Sequence, residues 1–310
     1  MGRPCRRRCR CQGRCALPAP RLEAGGKRVN SYLATPQATR GILERFDLAT
    51  KHRLGQNFLV NDAIVGRILA LSDLVPGELV LEVGPGIGTL SVALLAAEAR
   101  VVAVEADRTL EPVLAETCSG ENFSLVLGDA LKVVPAGLPA GCEPNAFVSN
   151  LPYQVAATLV LKVLERMPSI TRSVVMVQAE VADRISAVPG TRAYGAYTAK
   201  LALYGKVAGR FEVGPGNFMP PPHVDSAVVR IDRAPLCDAE AARMVAPVID
   251  AAFAQRRKTI RNSMAASGFE KDALDAAFAA CGIAPAIRAE TLAPEQFIEL
   301  SAALGEAAPC

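Results

Sequence analysis

Between residues 79 and 178 the chain repeats one pattern: a short unbroken apolar run, then a stretch whose apolar residues recur at helical spacing. The runs fall at residues 79–83, 101–105, 124–127, 146–149 and 173–178, with Glu82 the one polar residue inside a run and the others confined to run ends. Unbroken rather than alternating apolar residues predict strands covered on both faces, as in a parallel sheet. Residues 89–98 and 156–167 predict the intervening helices, and residues 180–185 begin another. Upstream, Ile64, Val65, Ile68, Leu69 and Leu71 share one helical face, with Asn61 or Asp62 as the N-cap. Residues 227–231 read as a further strand. Beyond Leu236 the strand pattern stops, and Val245, Val248, Ile249, Ala252 and Phe253 recur helically. The expectation is a doubly wound, Rossmann-like α/β domain over residues 43–235, followed by a small all-α domain over residues 236–310.

Composition narrows this picture. The chain of 310 residues is 51% hydrophobic, yet no apolar run approaches the roughly 18 residues that span a bilayer. A soluble, cytoplasmic, monomeric protein is expected. The net charge of +3 hides an asymmetry. Residues 1–40 hold ten basic residues and one acid, and the other 24 basic and 30 acidic residues leave the rest at −6. Any nucleic-acid affinity must therefore come from local patches. Residues 1–42, rich in Arg and Cys and without periodicity, read as a disordered extension. Cys5, Cys9, Cys11 and Cys15 sit too close together, with no apolar support, to favour a metal site over an appendage. With only two histidines, His52 and His223, far apart in sequence, neither a His-based metal site nor a His-based nucleophile is expected.

The chemistry concentrates where the predicted strands end. The first runs into Glu82-Val83-Gly84-Pro85-Gly86-Ile87-Gly88. This glycine turn is not the dinucleotide fingerprint, because Thr89 stands where the last glycine belongs. It suits S-adenosylmethionine, which has no pyrophosphate to cradle. Glu105 ends the second strand about twenty residues on, where a carboxylate accepts from ribose hydroxyls. Asp129, in Gly128-Asp129-Ala130, ends the third and can accept from the cofactor's adenine amine. The fourth ends in Asn150-Leu151-Pro152-Tyr153. The Asn150 side-chain oxygen and the Leu151 carbonyl can accept the two hydrogens of an exocyclic amine. Pro152 keeps Leu151 extended, and Tyr153 offers a ring for base stacking. Four such residues at the carboxyl edge of one sheet predict a methyl-transfer site. Two more stretches bear on substrate: the proline-stiffened loop from Phe218 to Ser226, and the basic cluster Arg256, Arg257, Lys258 and Arg261, read as a helix face meeting RNA phosphate.

Together with Gly55-Gln56-Asn57-Phe58-Leu59, these motifs resemble the ribosomal RNA adenine N6,N6-dimethyltransferases, most closely those of the small subunit (16S), over about residues 50–300. The resemblance implies a seven-stranded methyltransferase sheet. It implies S-adenosylmethionine contacts from Asn57, Leu59, Gly84, Glu105, Asp129 and Asn150, the first two from an N-terminal lid. It places Asn150, Leu151, Pro152 and Tyr153 around the target adenine, with Phe218 as a second ring facing Tyr153. The expected reaction dimethylates two adjacent adenines near the 3′ end of 16S rRNA in an assembling small subunit. Two alternatives stand beside it. The large-subunit enzymes of the antibiotic-resistance type tend to carry Ile where Leu151 stands and lack a counterpart to Arg288-Ala289-Glu290-Thr291-Leu292 and Pro294-Glu295-Gln296-Phe297. A non-catalytic nucleic-acid-binding factor has no need of an intact donor site.

Overall fold

The computed structural model describes residues 29–48 and 56–306. The Cys5–Cys15 cluster, His52 and Gly55 lie outside the described residues. In chain order the elements are α1 (Pro36–Arg45), β1 (Phe58–Leu59), α2 (Asp62–Ser72), β2 (Leu79–Val83), α3 (Thr89–Ala96), β3 (Arg100–Glu105) and α4 (Glu111–Thr117). Then come β4 (Phe123–Leu127), α5 (Ala130–Val133), β5 (Ala146–Asn150), α6 (Tyr153–Arg166), β6 (Arg172–Gln178), α7 (Ala179–Ile185) and α8 (Ala196–Ala202). The sheet closes with β7 (Gly205–Val213), β8 (Phe218–Met219) and β9 (Ser226–Arg233), before α9 (Ala239–Phe253), α10 (Ile260–Ala266), α11 (Lys271–Ala280) and α12 (Pro294–Glu306).

Seven strands form one sheet in the order β4-β3-β2-β5-β6-β9-β7, with β9 antiparallel to both neighbours. Successive residues of the inner strands enter opposite cores, as strand geometry requires. Leu81, Val83, Val102, Val104 and Phe147 face the cluster filled by α6 and α8. Val80, Val101, Ala103, Ala146 and Val148 face Ile64, Val65 and Ile68 of α2 and Leu90, Ala93 and Leu94 of α3. The α9–α12 region is not packed as a separate core. Val245, Ile249, Met264, Phe278 and Phe297 continue the first cluster, and Phe253 stacks against both Tyr194 and Phe297 at centroid distances of 5.9 and 5.8 Å.

One irregularity in the sheet matters for function. β2 pairs with β3, and β5 with β6, over five positions each. β2 and β5 pair only at Val80–Ala146 and Leu81–Phe147. Past that point Ser149 Oγ takes over, accepting from the Val83 amide at 3.2 Å. The carboxyl ends of the two central strands therefore part, at the place where the winding order reverses, which is where open α/β sheets bind ligands.

Three features depart from the sequence expectations or add to them. Residues 30–42 are folded rather than disordered. Thr35 caps α1 by accepting from the Ala38 amide, and Pro36 starts the helix. Leu33 and Ile42 enter a third cluster with Phe58, Ile87 and Val113. The Asn30 and Ser31 amides donate to the Asp62 carboxylate at 3.1 and 2.8 Å. The helix depends on these tertiary contacts, since its apolar positions are too few to set a period. Second, residues 205–213 form a strand that no apolar alternation announced. Third, the basic cluster is not one helix face: Arg256, Arg257 and Lys258 lie in the exposed turn between α9 and α10, and only Arg261 is helical. Among the described residues no helix is long and apolar enough to cross a membrane.

Candidate active site

At the parted strand ends lies a cavity of about 410 Å³, lined by Asn57, Leu59, Gly84, Glu105, Asp129, Asn150, Leu151, Pro152 and Tyr153, among others. All of the expected donor and acceptor residues except Phe218 thus meet in one place. Gly84 occupies the turn after β2 with φ of 72°, a conformation that favours glycine. A Cβ there would stand 3.1 Å from both Cγ and Cδ of Pro152. The donor turn and the Asn150–Tyr153 turn are in contact, and the missing side chain is what lets them meet. Phe58 of β1 packs its ring against Gly86 and lines the same cavity.

Glu105 ends β3 with 7% exposure, accepting from the Asp107 amide at 2.8 Å and the Gly86 amide at 3.2 Å. Burial pushes its carboxyl above the usual range, against the opposing pull of those amides. Its described partners are backbone amides, so it is placed to accept from neutral hydroxyls. Asp129 caps α5, accepting from the Leu131 amide at 2.9 Å, and its exposed carboxylate borders the cavity. Beneath the turn Glu82, 1% exposed, accepts from Ser91 Oγ at 2.6 Å. Burial pushes its carboxyl up to about 8. The cavity therefore combines an apolar wall, a glycine turn without side chains and buried carboxyl groups, which fits a nucleoside carrying a cationic methionine.

On the acceptor side, Leu151 is buried and its amide donates to the Met176 carbonyl at 3.1 Å. Asn150 Nδ2 donates to the Asn57 carbonyl at 3.4 Å, which turns the side-chain oxygen the other way. Tyr153 begins α6 half-buried, its hydroxyl 2.7 Å from Ser226 Oγ.

Phe218 is not where the sequence reading put it. It is 2% exposed, packed in the core beneath β1 with Leu59 and Val228, and it does not line the cavity. The reason is a short antiparallel pairing of β8 with β1, which sets Phe218 opposite Leu59 so that the two side chains share the buried face. No pattern in the sequence announces a ladder of two residues, and although Phe58 and Ser226 lie in motifs the sequence singles out, nothing there assigned either residue a contact in the site.

The basic residues lie elsewhere. Arg256 and Arg257 border a second, open cavity of about 410 Å³ together with Arg192, Arg288 and Glu290. Arg256 donates to the Arg192 carbonyl and stands 3.8 Å from Glu290. Arg261 is forked onto Asp275 with two bonds of 2.6 Å, and neither it nor Lys258 borders this cavity. Arg184 pairs with Glu180 one helical turn back.

This sheet, glycine turn and buried strand-end acid define an S-adenosylmethionine-dependent methyltransferase. The model of the ribosomal RNA adenine dimethylase family matches residues 48–305, and the chain belongs to that family. It is 42% identical over 278 residues to the Ribosomal RNA small subunit methyltransferase A of Kineococcus radiotolerans, covering 88% of this chain and 92% of that one. It is 42% identical to the enzyme of the same name from Streptomyces griseus, with 86% and 95% covered. A solved dimethyladenosine transferase from Plasmodium falciparum superposes with a TM-score of 0.69 at 23% identity, over 81% of this chain and 98% of that one, which shows the shared fold. The 23S rRNA methyltransferase ErmE superposes with a TM-score of 0.62 at 28% identity, over 80% and 100%. S-adenosylmethionine is the methyl donor.

Proposed function

We propose that this enzyme transfers methyl groups to N6 of two adjacent adenines near the 3′ end of 16S rRNA, dimethylating each, and that it works as a cytoplasmic monomer on an assembling small subunit. The observation that carries this reading is the contact between Gly84 and Pro152, which seats an amine-holding turn against a donor turn. The retained donor site opposes a purely binding role. Leu151 and the Arg288–Phe297 stretch favour the small-subunit substrate over the large-subunit one.

The bound donor supplies an electrophilic methyl group on a sulfonium. Glu105 holds the ribose hydroxyls, Asp129 the cofactor's adenine amine, and Asn57, Leu59 and Gly84 shape the walls. The N6 lone pair is delocalised into the purine ring, so the residues must supply alignment and support for developing positive charge rather than a strong base. The Asn150 side-chain oxygen and the Leu151 carbonyl accept the two N6 hydrogens. Pro152 keeps that carbonyl aimed, and Tyr153 stacks on the base, a contact worth about 1–3 kcal/mol. The proton leaves to water after transfer. Phe218 acts as a buried anchor for the proline loop. Arg256 and Arg257, with Lys258 beside them, contact phosphate. Arg261 joins them only by exchanging Asp275 for a phosphate.

The test is incubation with labelled S-adenosylmethionine and unmethylated small-subunit particles, followed by mapping of the labelled base. Label on adjacent adenines near the 3′ end is expected. No label, or label confined to large-subunit RNA, overturns the reading.

A further inference from the structure

We propose that Ser226 is a positioning residue for the reaction: its hydroxyl braces the far end of the Tyr153 ring and so fixes the plane on which the target adenine stacks. This rests on the reading that Tyr153 is the stacking surface.

Tyr153 is the first residue of α6, so its backbone is set by Pro152 and the helix, but its ring still turns about two side-chain torsions. A tether at the hydroxyl restrains both. Ser226 is suited to that role because it cannot move. It is 0% exposed, it opens β9, and it pairs with Gln178 on one side and Val213 on the other. The preceding residue is held as well, the Asp225 carbonyl accepting from the Ala179 amide at 2.9 Å. The 2.7 Å bond thus runs from a rigid strand to an aromatic ring that borders the cavity. Burial raises the phenol's pKa, so the hydroxyl stays protonated near neutrality. Neither hydroxyl has another described side-chain partner. Without Ser226 the phenol loses its described side-chain partner and the ring is no longer tethered at its far end. The same bond ties the Asn150–Tyr153 turn to the end of the Phe218–Ser226 loop, two motifs separated by 73 residues.

The test is a double-mutant cycle in the full chain, using Ser226→Ala, Tyr153→Phe and both together, assayed on unmethylated small-subunit particles. Each single change should lower kcat by about five- to tenfold, and the pair by no more than either alone, because all three remove one hydrogen bond. The KM for S-adenosylmethionine should not move. With five tyrosines in the chain, ring NMR signals can be assigned, and those of Tyr153 should pass from a fixed ring to an averaged one in Ser226→Ala. Losses that multiply, a wild-type kcat in Ser226→Ala, or unchanged ring signals would overturn the proposal. Should Ser226→Ala not fold, a wild-type kcat in Tyr153→Phe does the same. The ring signals need no RNA. A wild-type enzyme inactive on small-subunit particles therefore counts against the assigned substrate, and an unaltered ring counts against the brace.

Discussion

Replacing Gly84 with alanine adds one methyl group at the narrowest point between the two halves of the site. Two effects follow, and they can be separated. The first is local: a residue with a Cβ held at φ of 72° loses about 1–2 kcal/mol of stability. The second is steric. The new carbon would lie 3.1 Å from two carbons of Pro152, where carbon pairs prefer about 3.5–4.0 Å. The ring must therefore retreat by roughly 0.5 Å. It cannot do so alone, because proline closes on its own backbone and dictates the conformation of Leu151. The shift is passed to the carbonyl that receives the amine. Since a misplacement of about 1 Å costs around a hundredfold in rate, half of that costs about tenfold. Gly77 provides the control. It has φ of 81°, and nothing lies within 4 Å of where its Cβ would be. Urea unfolding and single-turnover methyl transfer, measured on both variants, should show similar losses of stability, with the tenfold loss of rate confined to Gly84→Ala. Equal rates in the two variants would refute the coupling of the turns through Pro152.

Three further outcomes are expected. Asn150→Ala should abolish transfer while leaving S-adenosylmethionine affinity by calorimetry mostly intact, and retained turnover would remove Asn150 from the acceptor role. Glu82 is lifted by burial from 4.5 to about 8, so between those values the folded state holds a proton that the unfolded chain has released; stability should fall as pH rises through this window. Glu82→Gln should flatten that fall in urea titrations at pH 5, 6.5 and 8, and an unchanged slope would contradict the neutral carboxyl. Arg256→Ala with Arg257→Ala should weaken RNA binding and reduce the slope of log affinity against log salt by about one for each phosphate left unneutralised; an unchanged slope would exclude phosphate binding at this turn.

The donor side of the site was legible in the sequence because its residues end strands that are unbroken apolar runs. Once residues 79–83, 101–105, 124–127 and 146–149 are read as parallel strands, the topology brings Gly84, Glu105, Asp129 and Asn150 to one edge. What stayed hidden has specific causes. Residues 205–213 form the sheet's edge strand, exposed or half-buried everywhere but its two ends and shifted in register between Val207 and Gly209, which erases the period of two. The α1 helix carries too few apolar residues to announce itself. Arg261 reads as free for phosphate because Asp275 lies fourteen positions on, beyond any local rule. Phe218 reads as a stacking ring because its place in a motif carries no information about burial, which here depends on a partner strand some 160 residues earlier, Leu59 standing opposite it.

That strand pair has a thermodynamic consequence. β1 carries Phe58 into the donor cavity, and β8 opens the loop that ends at Ser226, so under the proposed brace the backbone hydrogen bonds of one short ladder join the cofactor side of the site to the base-stacking side. Whatever free energy passes through them is reciprocal. If a bound cofactor raises the affinity for RNA by some factor, bound RNA raises the affinity for the cofactor by that same factor. Each adenine takes two methyl groups, and the spent cofactor has to be exchanged between them. The grip on the rRNA substrate and the turnover of the cofactor would then share one coupling term, and a substitution that loosens β1 from β8 should change both together.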